Sequence, residues 1–111
     1  MSIIISNAFS LQMLNLDVDN DIQICHVRIE DVKAFLADNN NNFVSAIGHV
    51  DTANVVSSIL GVPVPMNRIN VKLTQNDSLI VAQIVGGRLP EGATTLPEGF
   101  KIKFVEVQLT A

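Results

Sequence analysis

The chain has 111 residues and 48% of them are hydrophobic, so its length and composition suit a single small domain over residues 1–111. Its formal net charge is −4, which disfavours binding to long nucleic acid, because such binding depends on extended lysine and arginine surfaces. The single cysteine excludes an internal disulfide, and no apolar run approaches the roughly 18 residues of a membrane-spanning helix. We therefore expect a cytoplasmic protein with no membrane partner.

The spacing of apolar residues predicts a mixed central β-sheet with helices packed on it, an α/β (α+β) fold. The stretch Leu79–Val85 is almost continuously apolar, as expected for a strand at the centre of a sheet. Ser10 and Asp51 are predicted to cap the first and the last helix. The predicted strands are 3–5, 22–27, 44–47, 69–73, 79–85 and 102–109, and the predicted helices are 10–14, 30–38 and 51–60.

The segment 43–53 is the most informative part of the chain, because an apolar strand stops at Gly48 and a helix begins almost at once. His49 lies at the carboxyl end of that strand and beside the amino terminus of the helix. Ligands of α/β sheets collect at the carboxyl ends of strands, and the N–H groups of a helix amino terminus favour anions. His49 is therefore the first candidate for chemistry.

A second strand-to-helix turn contains Asn7 and Ser10, and it opens on the same sheet edge if the two strands run in the same direction. Arg88 and Glu91 lie in the Gly/Pro-rich loop after the central strand, from which they can reach that edge. Arg68 precedes a predicted strand, so its placement there depends on that strand running in the opposite direction. Arginines, helix amino termini and short polar side chains together favour phosphate groups.

These residue types are compatible with RNA cleavage that uses no metal. With two histidines and one cysteine, the chain predicts no metal site and no cofactor. The 2′-hydroxyl of RNA can attack the neighbouring phosphate, a histidine can protonate the departing 5′-oxygen, and arginines can stabilise the charge on the phosphorus centre. Gln83 lies in an apolar strand, where a buried amide needs a partner from the backbone or from a ligand.

Three short segments carry a resemblance to a known family. They are Ser6–Ser10, Ser45–His49, and Asn67-Arg68 taken together with Arg88–Gly92. In their order and spacing they resemble the viral anti-CRISPR ring nucleases, over nearly the whole chain from about residue 3 to residue 107. Members of that family cleave cyclic tetra-adenylate, the second messenger of type III CRISPR defence. The resemblance implies a metal-independent phosphodiesterase that yields linear di-adenylates ending in a 2′,3′-cyclic phosphate.

The resemblance also implies roles for individual residues. His49 would be the general acid, and Arg88 would lie near the scissile phosphate. Glu91 would be a further catalytic residue that orients a group, accepts a proton or pairs with Arg88. The side chains implied to hold the ring are Asn7, Ser10, Arg68 and Gln83.

A homodimer is expected, because a cyclic tetranucleotide can carry a two-fold axis that a symmetric dimer shares. Two arginines from each of two copies then supply four positive charges for four phosphates. This count explains how an acidic chain can bind a tetra-anion.

Three alternatives stay open. A non-catalytic binding module would use the same pocket to sequester a cyclic oligonucleotide without cutting it. A DNA-binding regulatory protein of a virus or mobile element is disfavoured by the acidic balance. A purely structural dimer would use these turns only to shape the fold, with His49 bonding backbone carbonyls.

Overall fold

In the computed structural model, which describes residues 2–110, five strands form one mixed sheet. The strands are β1 (Ser2–Ser6), β2 (Ile22–Val27), β3 (Val44–Ala46), β4 (Asp77–Val85) and β5 (Lys101–Leu109), in the spatial order β2-β5-β4-β1-β3. Two α-helices, α1 (Ile29–Asp38) and α2 (Val50–Leu60), and a short 3₁₀ helix (Leu11–Met13) connect them. The predicted mixed sheet with packed helices is confirmed.

The sheet combines a parallel half with an antiparallel half. Strand β1 pairs in parallel with both β3 and β4, whereas β5 is antiparallel to β4 and to β2. The carboxyl ends of β4, β1 and β3 therefore lie at one edge of the sheet. This arrangement confirms the expected common direction of the strands that precede Asn7 and His49.

The central strand β4 is buried on both faces, which explains its continuous apolar sequence. Ile80 and Ala82 belong to the apolar layer between the sheet and the two α-helices, together with Phe104 of β5. Leu79 and Val81 belong to a second layer on the opposite face. That second layer is closed by the 3₁₀ helix and residues 71–73 rather than by an α-helix.

The predicted strand at 69–73 is wrong. Val71 and Leu73 are buried as the alternation suggests, but they pack on a face of the sheet instead of joining its ladder. The N–H of Leu73 donates to the carbonyl of Met13, next to the 3₁₀ helix, at 2.8 Å. A period of two indicates one buried side of an extended chain, and it does not show which backbone groups that chain pairs with.

The start of α2 differs from the prediction by two residues. His49, and not Asp51, is the N-cap, with extended backbone angles φ −129° and ψ 130°. Asp51 lies in the first turn, where its carboxylate interacts favourably with the helix dipole. At the other end, Gly61 adopts φ 73° and stops the helix as expected, because this left-handed conformation suits glycine.

The amino terminus of α1 carries the one ion pair that lies within residues 2–110, between Arg28 and Asp31 at 3.3 Å. The hydrogen bond from the Arg28 side chain, followed by one from the Arg28 backbone N–H, lowers the pKa of Asp31 below its ordinary value. This pair stabilises the start of α1 on the surface and has no part in the site described below.

Candidate functional site

The carboxyl ends of the three parallel strands bring most of the candidate residues to one edge of the sheet. Asn7 directly follows β1, and Gly48 and His49 come just after β3. Arg88 follows β4 by three residues. A sheet of this kind leaves its crevice at that edge, because the chain turns away from the strand ends into helices and loops.

A cavity of about 320 Å³ at this edge gathers four of the predicted residues. Asn7, His49, Gln83 and Arg88 all line it, and we call it the His49–Arg88 cavity. Asp51 and Thr52, from the first turn of α2, complete one wall. The fold therefore brings together side chains that are separated by up to eighty-one residues along the chain.

An adjoining cavity of about 510 Å³ contains Arg68, and we call it the Arg68 cavity. Asn7 and His49 line both cavities, so the two adjoin, and we call them together the groove. His49 thus lines one cavity with Arg88 and the other with Arg68.

Arg68 reaches this place by a route that the sequence did not predict. The segment before it runs parallel to the end of β3, with a bridge between Ile47 and Met66. The strand predicted after Arg68 does not form. The expected antiparallel strand therefore does not place Arg68 at this edge. The Nε of Arg68 donates to the carbonyl of Gly48 at 2.8 Å, which fixes the guanidinium beside His49.

Asn67 holds this parallel segment against β3. Its backbone N–H donates to the carbonyl of Ile47 at 2.8 Å, and its side-chain Nδ2 donates to the carbonyl of Ser45 at 2.7 Å. The Ser45 hydroxyl in turn donates to the carbonyl of Pro65 at 2.6 Å. These bonds attach residues 65–67 to the sheet edge, and Arg68 follows them directly.

Replacement of Asn67 by alanine is expected to lower the free energy of unfolding by about 1–2 kcal/mol, because the half-buried carbonyl of Ser45 loses its donor. It should also weaken anion binding, since the backbone directly before Arg68 is no longer held against β3 by the Asn67 side chain. Chemical denaturation and ligand titration measure the two effects. Asn42→Ala, an exposed change in the 39–42 loop, serves as the control, and equal losses in both variants would contradict this role.

The backbone around His49 is organised by its neighbours. The N–H of Gly48 donates to Oδ1 of Asn7 at 3.4 Å, which links the ends of β1 and β3. The His49 side chain is exposed and makes no capping hydrogen bond with α2. Within residues 2–110 its imidazole has no hydrogen-bond partner, so both ring nitrogens are available to a ligand in the groove.

Gln83 is at the expected cavity but not in the expected environment. The sequence predicted a buried amide, whereas the side chain is exposed near the end of β4. Its Nε2 donates to the carbonyl of the adjacent Ile84 at 3.3 Å. The burial of β4 stops after Ala82. By strand alternation Gln83 shares the face of Leu79 and Val81, on the side away from the α-helices.

Ser10 and Glu91 lie apart from the other candidates. Ser10 is the N-cap of the 3₁₀ helix, where its hydroxyl accepts from the N–H of Gln12 at 3.2 Å, and it lines a third cavity instead. Glu91 is exposed in the loop 86–100 and lines none of the three cavities. The predicted roles of both residues stay predictions.

The loop that carries Arg88 and Glu91 is tied to α2. The Ser58 hydroxyl donates to the carbonyl of Thr94 at 2.7 Å. Within the described residues, this is the hydrogen bond that connects positions 87–99 to the rest of the chain, since the others in the loop are local turns. The helix that presents His49 at its start therefore also anchors the arginine loop.

Replacement of Ser58 by alanine is expected to speed trypsin cleavage after Arg88 about fivefold, because loss of one exposed hydrogen bond of about 1 kcal/mol lets the loop open more often. Mass spectrometry of the fragments follows that cleavage. Ser58→Thr keeps the hydroxyl and should restore the slow rate. A Ser58→Ala protein cut at the original rate would show that the anchor does not hold the loop.

The electrostatics of the groove favour an anion. The Arg68 and Arg88 guanidinium groups have no carboxylate within 4.0 Å among residues 2–110. Asp51 lines the same cavity as Arg88, but its carboxylate does not reach that guanidinium. In a chain with net charge −4, two unpaired arginines beside one crevice provide a local positive site.

Thr52 and the Gly48 carbonyl belong to the site although the sequence patterns did not point to them. Both follow from the position of His49, since Thr52 lies in the turn of helix after it and Gly48 directly precedes it. Within residues 2–110, no three histidine, cysteine, aspartate or glutamate side chains gather in a way that suits a metal ion.

A family model described as STIV B116-like matches residues 3–106, nearly the full length of the chain. The chain belongs to the STIV B116-like family. This match covers both α-helices, the larger part of every strand and all of the candidate residues.

The chain is similar to B116 of Sulfolobus turreted icosahedral virus, whose solved structure superposes with a TM-score of 0.77 at 30% sequence identity. The match covers 97% of this chain and 99% of the B116 chain, and it supports the observed sheet and helix arrangement.

Two relatives come from other archaeal viruses. "Uncharacterized protein ORF117" of Acidianus two-tailed virus is 43% identical over 63% of this chain and 59% of its own length. "Uncharacterized protein 26" of a Sulfolobus islandicus filamentous virus is 42% identical over 58% of this chain and 52% of its own length. This chain thus spans little more than half of these relatives. The viral relatives support a viral origin for this member of the family.

No helix within residues 2–110 combines the length and apolar character that crossing a lipid bilayer would require.

Proposed function

We propose that this STIV B116-like protein is a metal-independent ring nuclease that cleaves cyclic tetra-adenylate and so silences type III CRISPR signalling. One observation carries the proposal. His49, Arg88, Asn7 and Gln83 line one cavity, Arg68 lines the adjoining part of the same groove, and both arginines lack a carboxylate partner among the described residues. The resemblance of the same motifs to ring nucleases supplies the substrate.

The proposed reaction is an in-line attack by the ribose 2′-oxygen on the adjacent phosphorus. A bond forms between the 2′-oxygen and phosphorus, and the bond from phosphorus to the 5′-oxygen breaks. The His49 imidazolium gives its proton to the departing 5′-oxygen, while Arg88 stabilises the charge on the phosphate oxygens. The 2′-hydroxyl proton passes to a base, for which Glu91 and solvent are the candidates. Two such cuts give linear di-adenylates with 2′,3′-cyclic phosphate ends.

The active form in this proposal is a homodimer. The groove of one protomer contributes Arg68 and Arg88 to the site, and a symmetric partner contributes the same pair, so that four cations face four phosphates. The open sides of both cavities at the sheet edge are compatible with a second copy that closes the site.

The decisive experiment incubates the protein with cyclic tetra-adenylate in EDTA and separates the products by mass. Di-adenylates with cyclic phosphate ends are expected, and added Mg²⁺ should not change the rate. If the ring stays intact under conditions in which ligand binding is demonstrated, the proposed nuclease activity is refuted.

The second candidate is a module that binds a cyclic oligonucleotide without cutting it. It is favoured by one observation, namely that the His49 imidazole has no orienting hydrogen bond among residues 2–110. Stoichiometric protection of the ring, with no products after long incubation, would select this candidate.

A further inference from the structure

The largest of the three cavities contains none of the residues that act in the proposed reaction, although Ser10, a predicted ring contact, lies on its wall. It has a volume of about 800 Å³ and lies between the 3₁₀ helix, the residues that follow it, and the segment 69–72. We call it the Lys72 cavity. It shares Met13, Ile69 and Asn70 with the Arg68 cavity, so the groove continues from His49 past Arg68 to Lys72.

Lys72 places a third positive charge along this groove. Its Nζ donates to the carbonyl of Gln12 at 2.7 Å, which holds the ammonium at the cavity wall and leaves two of its N–H donors for a ligand. Among residues 2–110 no carboxylate lies within 4.0 Å of this ammonium. Asp17 also lines the cavity, beyond that distance from Lys72.

The rest of the wall offers apolar surface to a ligand. Leu16 and Ile69 line the cavity, and 63% and 45% of their surfaces are exposed. Asn70 lines it beside them and can donate and accept hydrogen bonds. A cation, an amide and exposed aliphatic surface match the phosphate, the polar edge and the flat face of a nucleotide.

We propose that the Lys72 cavity is an outer subsite for a nucleotide of a linear single-stranded oligoadenylate, bound through its phosphate. The proposal rests on the proposed function in one respect, that Arg68 and Arg88 of two copies already match the four phosphates of the ring. Lys72 is then a cation that the ring does not need. A linear chain that enters at His49 extends along the groove and reaches it.

The test uses 2′-O-methyl oligoadenylates, which lack the attacking hydroxyl and therefore report binding alone. Affinities for linear hexa-adenylate, linear di-adenylate and cyclic tetra-adenylate are measured over a range of salt concentrations. Lys72→Met should weaken hexa-adenylate binding about tenfold and reduce the slope of log affinity against log salt by about 0.7, the value for one phosphate contact on a single strand. Binding of the ring and of di-adenylate should stay the same.

Further variants separate charge from folding. Lys72→Arg keeps the charge and should keep the salt slope, whereas Asp17→Asn removes an opposing charge and should strengthen hexa-adenylate binding. Lys33→Met is the matched control, because this substitution removes the same charge as Lys72→Met. Lys33 is exposed on α1 and lines none of the three cavities.

Equal losses of hexa-adenylate affinity in Lys72→Met and Lys33→Met would overturn the outer subsite, and so would an equal loss of ring affinity in Lys72→Met. The proposed function fails separately. A wild-type protein that leaves the natural ring intact, while Lys72 still governs hexa-adenylate binding, would refute the nuclease and retain the subsite.

Discussion

Replacement of His49 by alanine is expected to slow cleavage of cyclic tetra-adenylate by about 10²–10⁴-fold, because the departing 5′-oxygen loses its proton donor. Binding of the ring should change little. In the proposed site the arginines make the phosphate contacts, and the bond from Arg68 goes to the backbone carbonyl of Gly48 rather than to the imidazole. Single-turnover rates and ligand titration on the same preparation separate the two quantities.

The same variant should fold normally. His49 caps α2 through its backbone, and its side chain makes no hydrogen bond with the helix, so alanine removes no stabilising contact. We expect the free energy of unfolding to stay within about 0.5 kcal/mol of the original, as for other exposed substitutions.

His26 provides the matched control for this experiment. It is exposed on β2 and lines none of the three cavities, so His26→Ala should cleave the ring at the full rate. Full activity of His49→Ala would remove the imidazole from the mechanism. A loss of binding as large as the loss of rate would make His49 a ligand contact instead of an acid.

The elements that the sequence predicted best are those in which local pattern and tertiary environment agree. Strand β4 is apolar on both faces because it is covered on both faces, and α2 ends at a glycine that adopts a left-handed conformation. The position of His49 followed from the same logic, because a strand that stops at a glycine before a helix specifies its own sheet edge.

Arg68 shows what sequence patterns leave out. Its neighbours Val71 and Leu73 alternate as in a strand, yet their burial comes from packing on the sheet face. The residue is placed by a parallel bridge at Met66 and by the amide of Asn67, both of which are long-range contacts with β3. The periodicity of apolar residues indicates which side chains are buried. It does not indicate which backbone segment, twenty residues away in the chain, will pair with them.

Gln83 and Ser58 mark two further limits. The exposure of Gln83 depends on where the second apolar layer, on the face opposite the α-helices, stops covering β4, which is a property of the packed domain. The bond from Ser58 to Thr94 joins a helix surface to an irregular loop, and neither partner belongs to a recognisable motif. Polar side chains of this kind acquire a role only when the fold brings a backbone group to them.

Replacement of Gly86 by alanine is the change expected to disturb the arginine loop most. Gly86 adopts φ +130°, and a Cβ atom there would meet the backbone Cα of Phe100 at 3.0 Å and the carbonyl oxygen of Gly99 at 3.3 Å. Positive φ costs a residue with a side chain about 1–3 kcal/mol, and the clash with backbone adds to that cost. The two ends of the loop 86–100 can then no longer lie together.

The expected result for Gly86→Ala is a loss of about 2–4 kcal/mol in the free energy of unfolding, or a displaced loop with weakened ring binding, because Arg88 lies two residues farther on. Denaturation curves and ligand titration distinguish these outcomes. Trypsin cleavage after Arg88 provides an independent measure of loop opening.

Gly87→Ala is the matched control. Gly87 adopts φ +121°, but a Cβ atom there meets nothing within 4 Å, so the variant carries the backbone strain without the clash. Gly87 lines the His49–Arg88 cavity, so the free energy of unfolding, and not the ring affinity, is the quantity in which the two variants isolate the contact with Phe100. If Gly86→Ala and Gly87→Ala lose the same stability, close packing of the loop ends does not hold the loop. A larger loss of stability at Gly86 is what the geometry requires, because only there does the added carbon push against rigid backbone.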